Sequence, residues 1–148
     1  AGHRGPFFAS WPGVIKPGSK CARTTAHVDL FATCAEIAGA TLPDNAAEDS
    51  FSWLPLFRGG DWAKPRPPVI NHSAGGMFAL RNGKWKLVAG NGSGGREAPK
   101  GKPFAKPYRL FDLSSDLGER KDLAQAKPEL VGRLTTQLED IRIRGRSR

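Results

Sequence analysis

The sequence has 148 residues, and its 23 Lys and Arg residues outnumber its 14 Asp and Glu residues, giving a formal net charge of +9 at pH 7. Hydrophobic residues make up 39% and charged residues 25%, which is typical of a globular domain and excludes collagen, extreme disorder and coiled coils. No run of about 18 apolar residues occurs, so the sequence predicts no membrane-spanning helix.

The first part of the chain predicts a strand and a helix. Residues 5–11 are a short apolar run before a Pro-Gly pair, which is typical of a buried strand that enters a turn. Apolar residues then recur at spacings of three and four, which predicts a helix over 29–38 that ends at Gly39. The apolar face is wide for so short a helix, and we expect it to be largely buried. Residues 40–68 lack periodicity and are interpreted as a connector.

A β-hairpin is the clearest local prediction. Asn82-Gly83 suits a type I′ turn, in which both central residues need positive φ. With that turn, Leu80 faces Trp85 across the two strands. The face predicted to be the core face carries Phe78, Leu80, Trp85 and Leu87. Further strands over 69–72 and 108–113 would complete a small antiparallel sheet.

Two more segments follow the hairpin. Residues 90–107 are rich in Gly, Lys and Pro and are expected to form a long loop, either functional or mobile. Pro128 suits the first turn of a last helix, whose apolar stripe from Leu130 to Ile141 would cover one face of the sheet. Residues 142–148 read as a basic tail.

Chemical motifs are scarce. Residues 90–95 match G-x-G-x-x-G, but a dinucleotide site needs a helix to open there, and the following residues do not favour one. The three histidines are isolated, and no His or Cys spacing predicts a metal site. No Ser lies in a G-x-S-x-G elbow. Cys21 and Cys34 either form one bridge or remain two reduced, buried thiols.

The net positive charge is confined to residues 61–148, because residues 1–60 carry five basic and five acidic residues. Such a field favours anionic partners, whether nucleic acid, lipid headgroups, sulfated glycans or acidic proteins. Aromatic residues are interleaved with Lys and Arg there, as in platforms that stack nucleic-acid bases. Because Trp85 is predicted on the face opposite Lys84 and Lys86, a solvated basic face is favoured over nucleic-acid binding.

Five segments carry a family resemblance in their order and spacing. They are residues 2–7 with 11–13, 27–33 with 38–40, 52–56, 79–87, and 110–119 with 122–124. In turn they resemble the motifs G-G-x-R-x-P with W-P-G, V-D-L-x-P-T with A-G-A, S-x-L-P-L, A-x-R-x-G-x-W-K-L, and L-Y-D-L-x-x-D-P-G-E with N-L-A. These motifs are those of the sulfatases of the arylsulfatase type. Ala32, Leu117 and Asp49-Ser50 depart from the patterns.

The resemblance implies an α+β chain that is part of an α/β alkaline-phosphatase-like sulfatase. Residues 1–60 would be the tail end of the sulfatase core domain, with its strand, helix and connector. Residues 61–148 would be a C-terminal subdomain in which a small antiparallel sheet packs against the terminal helix. A chain that begins at Ala1 and has Met77 as its one methionine has lost an initiator Met or a leader, or is a piece of something longer; the resemblance favours the last.

The resemblance also implies a sulfuric ester hydrolase whose catalytic core precedes this chain. The family uses a divalent metal, calcium, and a formylglycine made from the Cys or Ser of C/S-x-P/A-x-R. The residues after Cys21 lack the Pro/Ala and the Arg of that motif, and those after Cys34 fail also. We therefore expect no catalytic residue, no metal ligand and no cofactor in this chain, and no activity from it alone.

Three residues are candidates for substrate contact. By the resemblance, His72 lies near the active-site mouth, where it would hydrogen-bond a sulfated sugar or an aryl ester, or would be a satisfied residue at a strand end. His3 and Arg4 follow the segment that would carry the family's missing Lys, and for Arg4 a structural role is favoured. The loop cations that would steer anionic substrates are Arg96, Lys100, Lys102 and Lys106.

Partners and location follow from the same resemblance. The principal partner would be the missing N-terminal catalytic domain, and the parent's ligand a sulfated small molecule or glycan; no membrane partner is expected. Without that domain, the strand and helix of residues 1–60 would leave an exposed apolar patch that promotes self-association. The parent would be periplasmic or extracellular. The rival hypothesis is a small basic module that binds nucleic acid or sulfated polysaccharide, and a third is a structural cap without a ligand.

Overall fold

The structure is a computed structural model that describes residues 5–93 and 98–148. Its elements, in chain order, are α1 (Asp29–Ile37), α2 (Leu54–Phe57), β1 (Val69–His72), β2 (Phe78–Asn82), β3 (Trp85–Ala89), β4 (Arg109–Asp112) and α3 (Pro128–Arg144). They form two compact units, one reaching to Pro67 and including Arg146–Arg148, the other spanning Pro68–Gly145. The division falls at Pro67–Pro68, whereas the sequence placed a boundary after residue 60.

The second unit is a four-stranded antiparallel sheet with the strand order β1-β2-β3-β4. Each strand pairs with its neighbour in sequence, which makes the sheet a simple meander. The sheet packs against the C-terminal helix, and the predicted α+β arrangement of this unit is therefore confirmed.

The hairpin between β2 and β3 turns one residue later than predicted. Asn82 pairs with Trp85 and Leu80 with Leu87, so the two-residue turn is Gly83-Lys84 and the predicted register is wrong. The physical reason is that Gly83 has φ +56° at the first turn position, so only a glycine needs positive φ. The shift moves each partner by two residues and therefore leaves every side chain on its predicted face.

The core of the second unit lies between that face and α3. Leu80, Leu87 and Leu110 of the sheet are completely buried, and Trp85 and Phe78 pack against the same cluster half-buried. The helix contributes the predicted stripe of Leu130, Leu134, Leu138 and Ile141, all buried. Asn82 adds one polar link across the layers, because its Nδ2 donates to Oε1 of Gln137 at 3.0 Å.

The first unit is organised around a buried ion pair. The carboxylate of Asp29, at the start of α1, is fully buried and lies 2.6 Å from Nη2 of Arg66, whose side chain is also buried. It accepts a further hydrogen bond from Nε1 of Trp53 at 3.1 Å and two from the backbone N–H groups of Ala26 and Phe51. Because both charges are paired and bonded, the desolvation that burial imposes is offset.

The polar side of α1 is the side that the first unit buries. The hydroxyl of Thr33 donates to the carbonyl of Asp29 at 2.6 Å and accepts from the backbone N–H of Trp53 at 2.9 Å. The hydroxyl of Ser50 accepts from the N–H of Ala32 at 2.9 Å. Side chains of α1 and its connector thus meet through hydrogen bonds rather than through the apolar stripe.

The apolar stripe of α1 is exposed, so the expectation of a buried stripe is wrong for this chain. Phe31 is 60% and Leu30 41% exposed. Amphipathicity shows which face needs an apolar partner, but no described residue covers this one. Residues 5–11 likewise form no strand, with Phe8 at 90% exposure, because a strand needs a neighbour to complete its hydrogen-bond ladder. The exposed apolar patch predicted for a chain without its core is present.

The predicted basic tail is divided between the two units. Residues up to Arg144 belong to α3, and Gly145 ends the helix in the left-handed conformation. Ser147 is buried in the first unit, where its backbone N–H donates to Oδ1 of Asp49 at 2.8 Å, and the N–H of Arg148 donates to the carbonyl of Glu48 at 2.9 Å.

Candidate functional site

The candidate site lies where β1 ends, at His72. The turn between β1 and β2 is closed by Ser73, whose N–H donates to the carbonyl of Met77 at 2.9 Å and whose hydroxyl accepts from the N–H of Met77 at 3.2 Å. The N–H of Gly76 donates to the carbonyl of Ser73 at 2.9 Å. This closed turn holds His72 at the outer end of the sheet with its side chain exposed.

His72 has one ring nitrogen committed and one available. Its Nδ1 lies 3.2 Å from the carbonyl oxygen of Ser73. Since that oxygen only accepts, the contact assigns the proton to Nδ1. Nε2 is then an acceptor in the neutral ring and a donor in the protonated ring, which suits either a hydroxyl or an anionic oxygen of a ligand.

The loop after β3 is anchored by close backbone contacts. A Cβ added to Gly90 would lie 2.0 Å from Sδ of Met77 and 2.8 Å from the carbonyl oxygen of Lys102, so only glycine fits there. The N–H of Phe104 donates to the carbonyl of Ala89 at 2.8 Å, and Gly90 forms a bridge with Pro103. Both ends of the loop are therefore fixed to the sheet.

A second contact closes the loop farther out. Gly92 and Gly101 approach so closely that a Cβ on Gly92 would lie 2.5 Å from the backbone nitrogen of Gly101. Oδ1 of Asn91 accepts from the N–H of Lys102 at 2.9 Å. Gly90 and Gly92, which belong to the G-x-G-x-x-G match, thus serve close packing. The described residues of the loop thus form a projection that is fixed by backbone contacts, and Lys100, Lys102 and Lys106 are exposed on it.

The turn after β4 contains Asp112, whose pKa is shifted the most among the described residues. The hydroxyl of Ser114 donates to Oδ1 of Asp112 at 2.5 Å, and Nζ of Lys84 lies 3.0 Å from Oδ2. These contacts lower the pKa of Asp112 from 3.8 to about 2. Farther along, partial burial raises the pKa of Asp122, but hydrogen bonds from the N–H groups of Ala124 and Leu110 outweigh it, and the net shift is downward. Both carboxylates fasten the turn through hydrogen bonds.

The described residues do not fit the metal and the formylglycine that the family resemblance implies. Within 5–93 and 98–148, no three His, Cys, Asp or Glu side chains lie close enough together to hold a metal ion. Cys21 and Cys34 are both free and exposed, so neither the predicted bridge nor the predicted burial of the thiols is found. The described residues therefore offer no cluster for the metal, and neither Cys lies in the C/S-x-P/A-x-R motif from which formylglycine is made.

An open apolar groove of about 710 Å³ runs along the exposed face of α1 in the first unit. Its lining includes His27, Leu30, Phe31, Cys34, Ala40 and Leu42. The groove has the character of a protein contact surface.

No helix in the described residues is long and apolar enough to span a membrane.

Of the candidate site residues, His72 lies in the described chain, whereas His3, Arg4 and Arg96 lie outside the described residues. Two residues beside Phe78, the ring partner of His72, were missed by sequence reasoning, namely Phe104 and Arg142. Phe104 follows the bridge between Gly90 and Pro103, and only the fold brings it there. Arg142 is three residues after Glu139 on α3, a helical spacing that predicts their ion pair.

This fold and its sequence match one class of protein: the chain corresponds to the C-terminal portion of sulfatases, which are hydrolases with an alkaline-phosphatase-like fold. It is 30% identical to the N-acetylgalactosamine-6-O-sulfatase of Bacteroides thetaiotaomicron, over 97% of this chain and 28% of that protein. It is 33% identical to arylsulfatase A of Homo sapiens, over 88% of this chain and 29% of that protein. No protein-family model matches the sequence.

A solved structure agrees with these relatives. A protein of Bacteroides thetaiotaomicron, determined in work on the metabolism of multiple glycosaminoglycans, superimposes with a TM-score of 0.71 at 28% identity, over 88% of this chain and 27% of that chain. The chain thus spans little more than a quarter of the length of the relatives it matches. The recognition of a C-terminal sulfatase portion from sequence is confirmed.

Proposed function

We propose that this chain completes a sulfatase that removes sulfate groups from carbohydrates, and that the chain alone does not catalyse. The parent would use a calcium ion and a formylglycine held by residues outside this chain. In the parent, the first unit of this chain would complete the catalytic domain, and the second unit would contact the substrate.

One observation carries the proposal, namely the continuous match of 97% of the chain to 28% of an N-acetylgalactosamine-6-O-sulfatase. A match that is continuous over both units favours common descent of the whole portion over a chance likeness of one hairpin. The name of that relative gives the proposed substrate class, a sulfated sugar. The lack of a metal-binding cluster among residues 5–93 and 98–148 is compatible with chemistry that lies elsewhere in the parent.

The activity test compares the chain with a longer protein. The purified chain, given an aryl sulfate and Ca²⁺, is expected to show no turnover above the blank. A gene extended upstream to include C/S-x-P/A-x-R is expected to hydrolyse the ester, and replacement of its Cys or Ser by Ala to abolish that activity. Turnover by the chain alone that survives repurification would contradict the proposal.

The exposed face of α1 is proposed as the contact with the N-terminal part of the parent. Phe31 and Leu30 expose large apolar surfaces beside the groove, and the relatives have nearly three quarters of their length outside the match. Burial of such surface contributes about 25 cal/mol per Å², so a domain that covers the groove would be held firmly. In the isolated chain the same surface should promote self-association.

Cys34 reports on this contact, because it is exposed and lines the groove. In a Cys21→Ser background, Cys34 should react readily with a maleimide in the isolated chain and be protected at least tenfold in the longer protein. Self-association should fall in Phe31→Asp but persist in Ile143→Asp, a change at an even more exposed apolar residue of α3. Equal reactivity of Cys34 in both proteins would refute the contact.

His72 is proposed as a substrate-contacting residue through its available Nε2. His3 and Arg4 are also proposed as substrate-binding residues of the parent, with Arg4 supporting the wall of the site. In the longer protein, His72→Ala is expected to lower kcat/KM for a sulfated sugar by roughly tenfold or more, since a hydrogen bond to a charged group contributes about 1.5–3 kcal/mol. Gln125→Ala, at an exposed residue of the second unit, is the control; unchanged kcat/KM in His72→Ala would favour a purely structural cap.

The parent is proposed to work in the periplasm or outside the cell, where sulfated glycans are encountered. The proposal rests on the family resemblance. Fractionation of the source cells, followed by detection with an antibody to this chain, is expected to find the protein in the periplasm or medium. Recovery only from the cytoplasmic fraction would contradict it.

A further inference from the structure

A row of flat side chains lies at the outer end of the sheet. The rings of His72 and Phe78 lie 5.7 Å apart between centroids, and those of Phe78 and Phe104 lie 5.3 Å apart. The guanidinium carbon of Arg142 lies 4.2 Å from the centroid of the Phe104 ring. We call these four residues the aromatic ledge. Phe78 and Phe104 are half-buried against the core of the sheet, and the guanidinium of Arg142 lies over both of their rings, whereas the His72 ring is exposed.

Each part of the ledge is positioned by the fold. His72 and Phe78 are partners across the β1–β2 register, and Arg142 lies in the last turn of α3. Phe104 has φ +58°, a left-handed conformation that a bulky residue rarely adopts. Its backbone is held there by the bond to Ala89 and by the neighbouring bridge between Gly90 and Pro103. The side chain of Phe104 is therefore held against the guanidinium of Arg142.

Arg142 keeps part of its guanidinium edge available. Its Nη1 donates to both carboxylate oxygens of Glu139, at 2.9 and 2.7 Å. Among the described residues, Nε and Nη2 have no hydrogen-bond acceptor. A guanidinium stacked on a ring is held in a fixed plane, and its remaining N–H groups can bind two oxygens of one anion.

Two lysines flank the ledge on the loop that carries Phe104. Lys102 and Lys106 are exposed and form no ion pair with a described residue. The local charge is therefore positive even though Glu139 neutralises Arg142. The charge excess that the sequence placed in the second half of the chain is concentrated beside ring surfaces here.

The chemistry of the ledge fits a sulfated saccharide. The hydroxyls of a sugar can bond to Nε2 of His72, and its sulfate oxygens can accept from Arg142 and the lysines. A nucleic-acid strand would need a longer groove of cations to follow its phosphates.

We propose that the aromatic ledge is a binding subsite for a sulfated oligosaccharide and that it binds without the rest of the parent. The choice of ligand class rests on the proposed function, whereas the site itself rests on the geometry of the second unit. Phe104 holds the guanidinium of Arg142 in place, and Arg142, Lys102 and Lys106 bind sulfate.

Calorimetric titration of the chain with a chondroitin sulfate oligosaccharide that carries 6-O-sulfate tests the subsite. The oligosaccharide should bind, and its desulfated form at least tenfold more weakly. Phe104→Ala should weaken binding at least tenfold, and Phe8→Ala, at an exposed ring of the first unit, should leave it unchanged. Because Phe104→Ala could disturb the loop, Arg142→Gln is the second variant, expected to weaken binding about fivefold with an unchanged melting temperature.

Arg144→Gln is the matched control, because it removes the same charge from the same turn of α3. Equal losses in Arg142→Gln and Arg144→Gln would show diffuse charge attraction and overturn the subsite. Equal or tighter binding of a single-stranded DNA of the same charge would assign the ledge to nucleic acid, and no binding at millimolar oligosaccharide would also overturn it. If the chain binds the oligosaccharide but the parent fails to cleave sulfate esters, the binding subsite is supported and the proposed function is refuted.

Discussion

The two units of this chain bury opposite kinds of surface. In the second unit, α3 places its leucines on the apolar face of the sheet, and that core is complete within the unit. In the first unit, α1 buries Asp29 and Thr33 and leaves Phe31 and Leu30 exposed. Both helices are amphipathic, so the difference lies in the partner that each finds within the chain.

This difference separates a unit that can fold by itself from one that requires completion. A core of interlocking apolar side chains stabilises the second unit without help. The first unit is held by a buried ion pair and by hydrogen bonds, which fix geometry but contribute little net stability. We therefore expect the first unit to open more readily than the second, and the following substitutions test that contrast.

Asp29→Asn should have the largest effect, and it should be confined to the first unit. It leaves the buried guanidinium of Arg66 without its counter-charge, and breaking a buried pair costs about 3–5 kcal/mol. Hydrogen exchange should show loss of protection over residues 26–66 with little change in the sheet. Asp44→Asn, at an exposed carboxylate of the same unit, is the control; loss of protection throughout the second unit would contradict the independence of the units.

Leu138→Ala should destabilise the second unit by about 2–5 kcal/mol, because the side chain is completely buried and its truncation leaves a cavity. Hydrogen exchange of the strand amides at increasing urea concentration measures the change. Ile143→Ala on the same helix truncates a side chain that is 82% exposed and should have almost no effect. Comparable losses in the two variants would mean that the core is not where the contacts place it.

Gly90→Ala should destabilise the loop base by about 1–3 kcal/mol, since the new Cβ would overlap Met77 and the backbone of Lys102. Gly132→Ala should act in the opposite direction. No atom lies within 4 Å of its added Cβ, and alanine is favoured over glycine in a helix interior by about 0.5–1 kcal/mol. Thermal melting of both variants measures the difference, and a shift of the same sign in both would contradict the close approach at Gly90.

The acid response of Asp112 should be the smallest effect. Its folded pKa of about 2 lies below the ordinary 3.8, so its stabilising contribution is present above pH 3.8 and is lost as the pH falls toward 2. Asp112→Asn should therefore reduce the decrease in melting temperature between pH 5 and pH 2.5, whereas Asp140→Asn should not. An unchanged acid response in Asp112→Asn would show that this carboxylate does not contribute to the loss of stability in acid.

The sequence predicted well the features that depend on local periodicity. The α3 stripe and the inward face of the hairpin follow from residue spacing, and Pro128 and Gly39 mark the ends of elements as expected. The hairpin register was missed because Asn82-Gly83 and Gly83-Lys84 are both feasible turns. Only the pairing of whole strands and the bond between Asn82 and Gln137 distinguish them.

Features that depend on contacts between residues far apart in the sequence were harder to predict. His72 was predicted at a strand end, since a strand pattern fixes its own ends. The residues that pack on Phe78, the ring partner of His72, were not predicted, because Phe104 reaches the sheet through a loop and Arg142 through a helix far along the chain. The exposure of α1 could not be read from its pattern either, since spacing tells which face is apolar and not whether this chain covers it.

The position of Ser147 against Asp49 has a consequence for transplanting either unit into another protein. Because residues 146–148 belong to the first unit, the second unit is in effect inserted between two parts of the first. A transplanted second unit would therefore be joined to its host at both ends, and the cut points that leave each unit whole lie at Pro67–Pro68 and at Gly145–Arg146.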